Sequence, residues 1–232
     1  MHPHAADSAL RGRRPTSRTK AGAIGMAIAG ILFTVYETAA PRADQTTLDG
    51  AASWASTGWA VGHIAAIIGL ALIPLAWGAL RGHLDGTPLE KPASLAAAIG
   101  YMGSALSISY YGAETYGLKA IGERAVAEGD AGLTEVGEAF RMDATAVTVF
   151  GVGLVLIAVA AILAASVVWR SGTMNRWSAV PMAVAMVSYL PHFYLPHPAR
   201  IAWGALVTVS ALWIAAELWR AARSGDRTAP RA

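Results

Sequence analysis

The chain has 232 residues, of which 55% are hydrophobic and only 14% charged, with a formal net charge of +3 and no cysteine. Soluble domains carry roughly 25% charged residues, so the scarcity of charge makes lipid the expected solvent for much of the chain. The basic residues flank apolar blocks instead of forming a patch, which argues against a nucleic-acid surface, and the missing thiols exclude disulfides, thiolate metal sites and cysteine nucleophiles.

In chain order, residues 1–20 carry Arg11, Arg13, Arg14, Arg18 and Lys20 and few large apolar groups. They are expected to form a disordered cytoplasmic tail. Apolar blocks follow at about 21–40, 57–80, 95–117, 144–169, 177–194 and 199–220. Each is close to the ~20 residues that cross ~30 Å of hydrocarbon as a helix. Inside lipid the backbone must satisfy its own hydrogen bonds, so each block is expected to be helical. The first block is read as retained, because Pro41 follows Ala40 where a signal peptide would be cut and the apolar run is long. The expected fold is all-α: a polytopic bundle of six transmembrane helices over 21–221, closed by a tail at 222–232.

The connection from Lys119 to Met142 is the longest. Leu133, Val136 and Phe140 recur in it at helical spacing, with Glu135, Glu138 and Arg141 off that stripe. An amphipathic helix lying on the outer surface is expected there, as a connector or a lid.

Charge placement orients the bundle. The two tails with Arg220 at the end of the last block, the 81–94 loop and the 170–176 loop together hold 13 of the 18 Lys and Arg residues. The positive-inside rule then puts both termini in the cytoplasm, N-in and C-in, in the cell (plasma) membrane. Tryptophans are expected to mark the interfaces: Trp59 and Trp203 the outer one, Trp77, Trp169, Trp177 and Trp219 the inner one.

Charged side chains in hydrocarbon are costly and usually functional. Here they gather in the outer half: Glu37, His63, Glu114, Asp143, His192 and Arg200. At 100° per residue, Gly103, Ser107, Tyr110 and Glu114 share one face of the third block. Gly30, Thr34 and Glu37 align on the first, Ser56, Trp59 and His63 on the second, and Pro181, Ser188 and His192 on the fifth. These faces point to a polar pocket open to the outer side, with His63 and Glu114 near its floor. Glu37, Ser107, Tyr110, Tyr111, Ser188, His192 and Arg200 are its further expected lining. For each there is a plainer role: a neutral histidine bonded to a neighbouring helix, or Glu114 as a structural partner of Arg200 or His63. Asp143 suits a helix N-cap, and His197 a surface position. No His-x-x-x-His spacing, phosphate-binding glycine loop or Asp-rich motif is present, so neither metal nor cofactor is expected.

Trp59 and His63, the Tyr-rich stretch ending in Glu114, and the Trp169–Gly172 inner turn carry a resemblance. In these features the chain resembles a large group of uncharacterised small six-helix membrane proteins of high-GC bacteria. The resemblance implies fold and membrane location, with no activity to carry over.

Three functions fit this pattern. The pocket binds or transports a small or lipophilic ligand, alone or as an accessory membrane subunit. Alternatively, the protein is an intramembrane enzyme, with Glu114 as general acid and His63 as orienting base on a lipid or isoprenoid. Membrane terpene cyclases are similar in size, but the Asn-x-x-Trp-Glu type of signature is missing here. In the third, the polar groups only fix helix register in a structural protein. The expected partners are the lipid bilayer and a lipophilic or small-molecule ligand, with no nucleic acid; the oligomeric state is not legible.

Overall fold

A computed structural model describes the backbone of residues 4–228 and the side chains of 17–224. Among the described residues every regular element is a helix. The elements in order are α1 (His4–Ala39), α2 (Leu48–Ala55), α3 (Thr57–His83), α4 (Glu90–Ala113), α5 (Lys119–Glu128), α6 (Thr134–Arg141), α7 (Ala144–Ser171), α8 (Val180–Val187), α9 (Tyr189–His192) and α10 (His197–Thr228). α1 thus begins inside the segment expected to be a disordered tail. The arginines at 11, 13 and 14 lie outside the described side chains.

Among the described residues, four helices are long and apolar enough to cross a membrane: Ser17–Ala39, Thr57–His83, Ala144–Ser171 and His197–Ser224. They correspond to the first, second, fourth and sixth apolar blocks. α4 has the length, at 24 residues, but its Gly, Ser and Tyr content dilutes its apolar character. The fifth block departs from expectation. It is not one span but the eight-residue α8 and the four-residue α9, separated at Ser188. Two residues account for the break. Pro191 has no N–H to give to the carbonyl one turn back. Ser188 Oγ donates to the carbonyls of Val184 and Ala185 at 2.9 and 3.0 Å, competing with the helical ladder.

The long helices pack in a closed ring. α1 lies between α3 and α10, α4 lies between α3 and α7, and α8 bridges α7 to α10. Small residues set the closest approaches. At the α4–α7 seam a Cβ on Gly153 would sit 2.9 Å from the Ser107 backbone nitrogen, and one on Gly103 2.7 Å from the Gly153 carbonyl oxygen. The outward faces are apolar on every long helix, with Ile24, Ile31, Val61, Ile68, Leu95, Met102, Val155, Ile162 and Val209 exposed. A water-soluble surface rarely carries so continuous an apolar coat.

One end of the ring carries a cap made by α2, α5 and α6. Trp54, Trp59 and Leu118 form its core, with Ile121 and Phe140 against them. α6 buries Thr134 and Gly137, while Val136 is exposed. The expected stripe of Leu133, Val136 and Phe140 is therefore displaced. Gly137 is the packing residue because a Cβ there would meet the Trp54 ring at 2.8 Å. α2 was not foreseen; Thr47 caps it by accepting from the Gly50 N–H.

The tryptophans also differ from expectation. Trp59, Trp77 and Trp203 are buried, and only Trp169 and Trp177 are exposed. Trp59 and Trp203 find acceptors for their indole N–H inside the protein, so burial leaves no polar group unpaired.

Candidate functional site

The capped end of the ring holds a group of buried polar side chains. Ser56 starts α3, its Oγ accepting from the Trp59 N–H at 3.0 Å. One turn on, His63 Nδ1 lies 2.8 Å from the Trp59 carbonyl oxygen. The Trp59 ring stacks on the imidazole, with centroids 4.0 Å apart. This contact and the carbonyl fix the ring of His63, which is 1% exposed.

α4 runs into a single π-helical turn, Glu114–Leu118, before α5. Such turns widen the helix and re-aim side chains. Here the turn presents Glu114 from both ends. Its carbonyl accepts from Trp59 Nε1 at 3.2 Å, and its carboxylate accepts from Arg141 Nε at 2.8 Å. His63 Nε2 lies 3.6 Å from the other carboxylate oxygen, an ion-pair contact too long for a hydrogen bond. Arg141, at the end of α6, also donates to Gln45 and to Glu138. Burial works against the charge of Arg141, but Glu114 beside it overcomes this and holds the guanidinium above its ordinary range.

A second carboxylate lies deeper. Glu37 is fully buried near the end of α1. Arg200 of α10 grips it with Nε at 3.0 Å and a terminal nitrogen at 3.4 Å. His192 Nε2 lies 2.9 Å from Glu37 Oε1, and Arg42 reaches Oε2 at 3.4 Å. His192 Nδ1 is bonded to the Tyr189 carbonyl, and its ring stacks on Trp203 at 4.0 Å. The hydroxyls of Tyr36, Tyr111 and Tyr189 meet in the interior, Tyr111 being 3.0 Å from Tyr189 and 3.4 Å from Tyr36.

Both clusters border one cavity of about 330 Å³. Arg42, Arg141, Arg200, His63, Glu114 and Gln45 form its polar wall. Trp59, Tyr110, Phe150, Phe193, Tyr194 and Leu190 are among its apolar lining. Two buried polar atoms in that wall, Arg42 Nε and His63 Nε2, have no hydrogen-bond partner.

Of the residues singled out from the sequence, His63, Glu114, Tyr110 and Arg200 line the cavity. Glu37, His192 and Tyr111 lie behind the wall and hold it in place. Ser107 and Ser188 are elsewhere. Ser107 sits in the α4–α7 seam against Gly153, and Ser188 accepts from Trp203 Nε1 at 3.1 Å. The partnerships also differ: Arg200 pairs with Glu37, leaving Glu114 to Arg141 and His63. His197, expected at the surface, is half-buried, its Nε2 2.9 Å from the Glu37 carbonyl oxygen. Asp143 caps α7 through bonds from the Ala146 and Thr145 N–H groups, which hold its carboxyl below the ordinary value.

Arg42, Gln45, Arg141 and Tyr36 were not picked out by sequence reasoning. The first three lie in polar connecting segments, where charge is unremarkable. The signal that could have found Arg42 and Arg141 is that they are among only five basic residues on that side.

The class these features are compatible with is a helical integral membrane protein, by the length and apolar character of four helices among the described residues. Comparison of the chain with protein families, with curated proteins and with solved structures gives no match.

Proposed function

We propose that this is a multi-pass protein of the cell membrane whose cavity, facing outward, binds a small or lipophilic ligand. The six-span, N-in and C-in arrangement belongs to the same reading. It counts α4 and the broken α8–α9 segment as membrane-embedded, which the exposed Leu95, Met102, Val184 and Val187 support. The observation that carries the ligand site is the cavity itself. Its volume of about 330 Å³ falls in the range of roughly 300–1,000 Å³ usual for small-molecule sites. It also joins an apolar lining to a few convergent polar groups, two of them unpartnered.

An acid–base enzyme built on His63 and Glu114 is less well supported. One Glu114 oxygen is held by Arg141 and the other faces His63. The ion pair with Arg141 accounts for the buried carboxylate as a structural partnership, without a catalytic role.

The reading is tested by purifying the protein from the membrane in which it is expressed and identifying co-purifying molecules by mass spectrometry. Val147 lines the cavity and is 47% exposed, so Val147→Trp adds bulk at its mouth without opening the core. A bound molecule near one per chain, lost in Val147→Trp with helicity unchanged, is the expected result. No bound molecule, or one retained undiminished by the variant, contradicts the reading.

A further inference from the structure

The chemistry of the cavity wall narrows the class of ligand. Three guanidinium groups border the cavity, against one carboxylate, Glu114. Glu37 behind the wall compensates part of this charge. Glu138 meets Arg141 at 3.3 Å but is half-exposed, where water weakens its effect. A guanidinium carries five N–H donors in a planar fork. Arg42 gives one bond, to Glu37 at 3.4 Å, while its Nε is buried without a partner. Its position is fixed by the face of Tyr36, 5.2 Å from the ring centre. Unspent, pre-oriented guanidinium donors in a water-poor site are suited to carboxylate and phosphate oxygens.

His63 adds a second group. With Nδ1 turned to the Trp59 carbonyl, Nε2 is buried in the wall without a hydrogen bond, 3.6 Å from a Glu114 oxygen. In the neutral ring it accepts from a ligand O–H; in the protonated ring it donates to a ligand oxygen.

Part of the cavity lining is apolar and exposed. Met142, Val147, Leu190 and Tyr194 form it, and they are 64%, 47%, 44% and 87% exposed. They lie at the end of α6, the first turn of α7 and around α9, next to the apolar outer faces of the long helices. A cavity of this size holds a head group and the start of a chain, and the rest has a lipid-facing exit.

We propose that the cavity receives the oxyanion head of an amphiphile, a carboxylate or a phosphate, on Arg42, Arg141 and Arg200, with its hydrocarbon chain leaving past Met142, Val147, Leu190 and Tyr194 into the bilayer. This rests on the cavity being a ligand site, and it names the class of ligand.

The test is equilibrium binding to the full-length protein in nanodiscs of zwitterionic lipid. The probes are palmitate, palmitoyl lysophosphatidate, hexadecanol and inorganic phosphate. At least one of the two acids is expected to bind at least about tenfold more tightly than hexadecanol, the scale of one charge-assisted hydrogen bond. Arg42→Gln should remove that advantage, and Arg42→Lys should keep part of it, since the charge remains while the fork is lost. The tighter acid identifies the head group. Hexadecanol binding as tightly as both acids overturns the oxyanion and leaves the cavity as a ligand site. Inorganic phosphate binding as tightly as either lipid overturns the amphiphile. An acid advantage unchanged in Arg42→Gln overturns the role of Arg42. Binding of none of the probes overturns the inference, and the co-purification result then decides whether the cavity is a site at all.

Discussion

Glu37 brings a negative charge into the interior, where Arg200, Arg42 and His192 meet it. Taking a carboxylate out of water is costly, and only such partners make it tolerable. Removing it leaves Arg200, itself buried, without its counter-charge. Glu37→Gln is therefore expected to destabilise the protein by about 3–5 kcal/mol, measured as chemical unfolding in detergent. A change within about 0.5 kcal/mol, the level of a surface substitution, would show that the cluster carries little of the stability. This carboxylate was legible in the sequence, as were His63, Glu114, His192 and Arg200. A charge inside an apolar run stands out because hydrocarbon penalises it. Arg42 and Arg141 were not legible, because in polar segments the same charge costs nothing and only the fold reveals that both turn inward. Ser188 and Ser107 misled for different reasons: the Ser188 hydroxyl bonds to its own helical turn, and Ser107 is a small residue in a close helix seam, its hydroxyl buried there without a hydrogen bond.

At the level of elements, the site depends on irregularities. The π-helical turn at Glu114 frees a carbonyl for Trp59, and the break at Ser188 lets α9 deliver His192 to Glu37. Hydrophobic periodicity could not foresee either, because it registers where apolar residues fall and not where the hydrogen-bond ladder slips. It located the remaining long helices well, since their apolar runs exceed 20 residues. It also missed α2, whose eight residues are ordered by packing Trp54 under α5 and α6 rather than by propensity. The α4–α7 seam, in contrast, is regular and tight. Gly153→Ala forces a methyl group against Ser107 and its backbone. It is expected to cost about 1–3 kcal/mol, and pairing it with Ser107→Ala should recover part of that loss by removing the hydroxyl. Unfolding of the single and double variants checks this; equal stability of Gly153→Ala and the parent would mean the helices separate freely there.

On the scale of the whole molecule, the cap and the cavity share one end of the ring, and the 81–94 and 170–176 loops lie toward the other. The ends of α3 fix the relation, with Thr57 beside the cap and His83 beside the basic loops. Because the chain has no cysteine, a single introduced thiol reports its own side of the membrane without background. The most direct measurement is labelling with a membrane-impermeant maleimide in intact cells, at Gln45→Cys in the cavity wall and Asp85→Cys in the loop after α3. The account expects Gln45→Cys to react in intact cells and Asp85→Cys only after permeabilisation. Reaction of Asp85→Cys in intact cells, with Gln45→Cys protected or equally reactive, would contradict an outward-facing cavity in a membrane-spanning bundle.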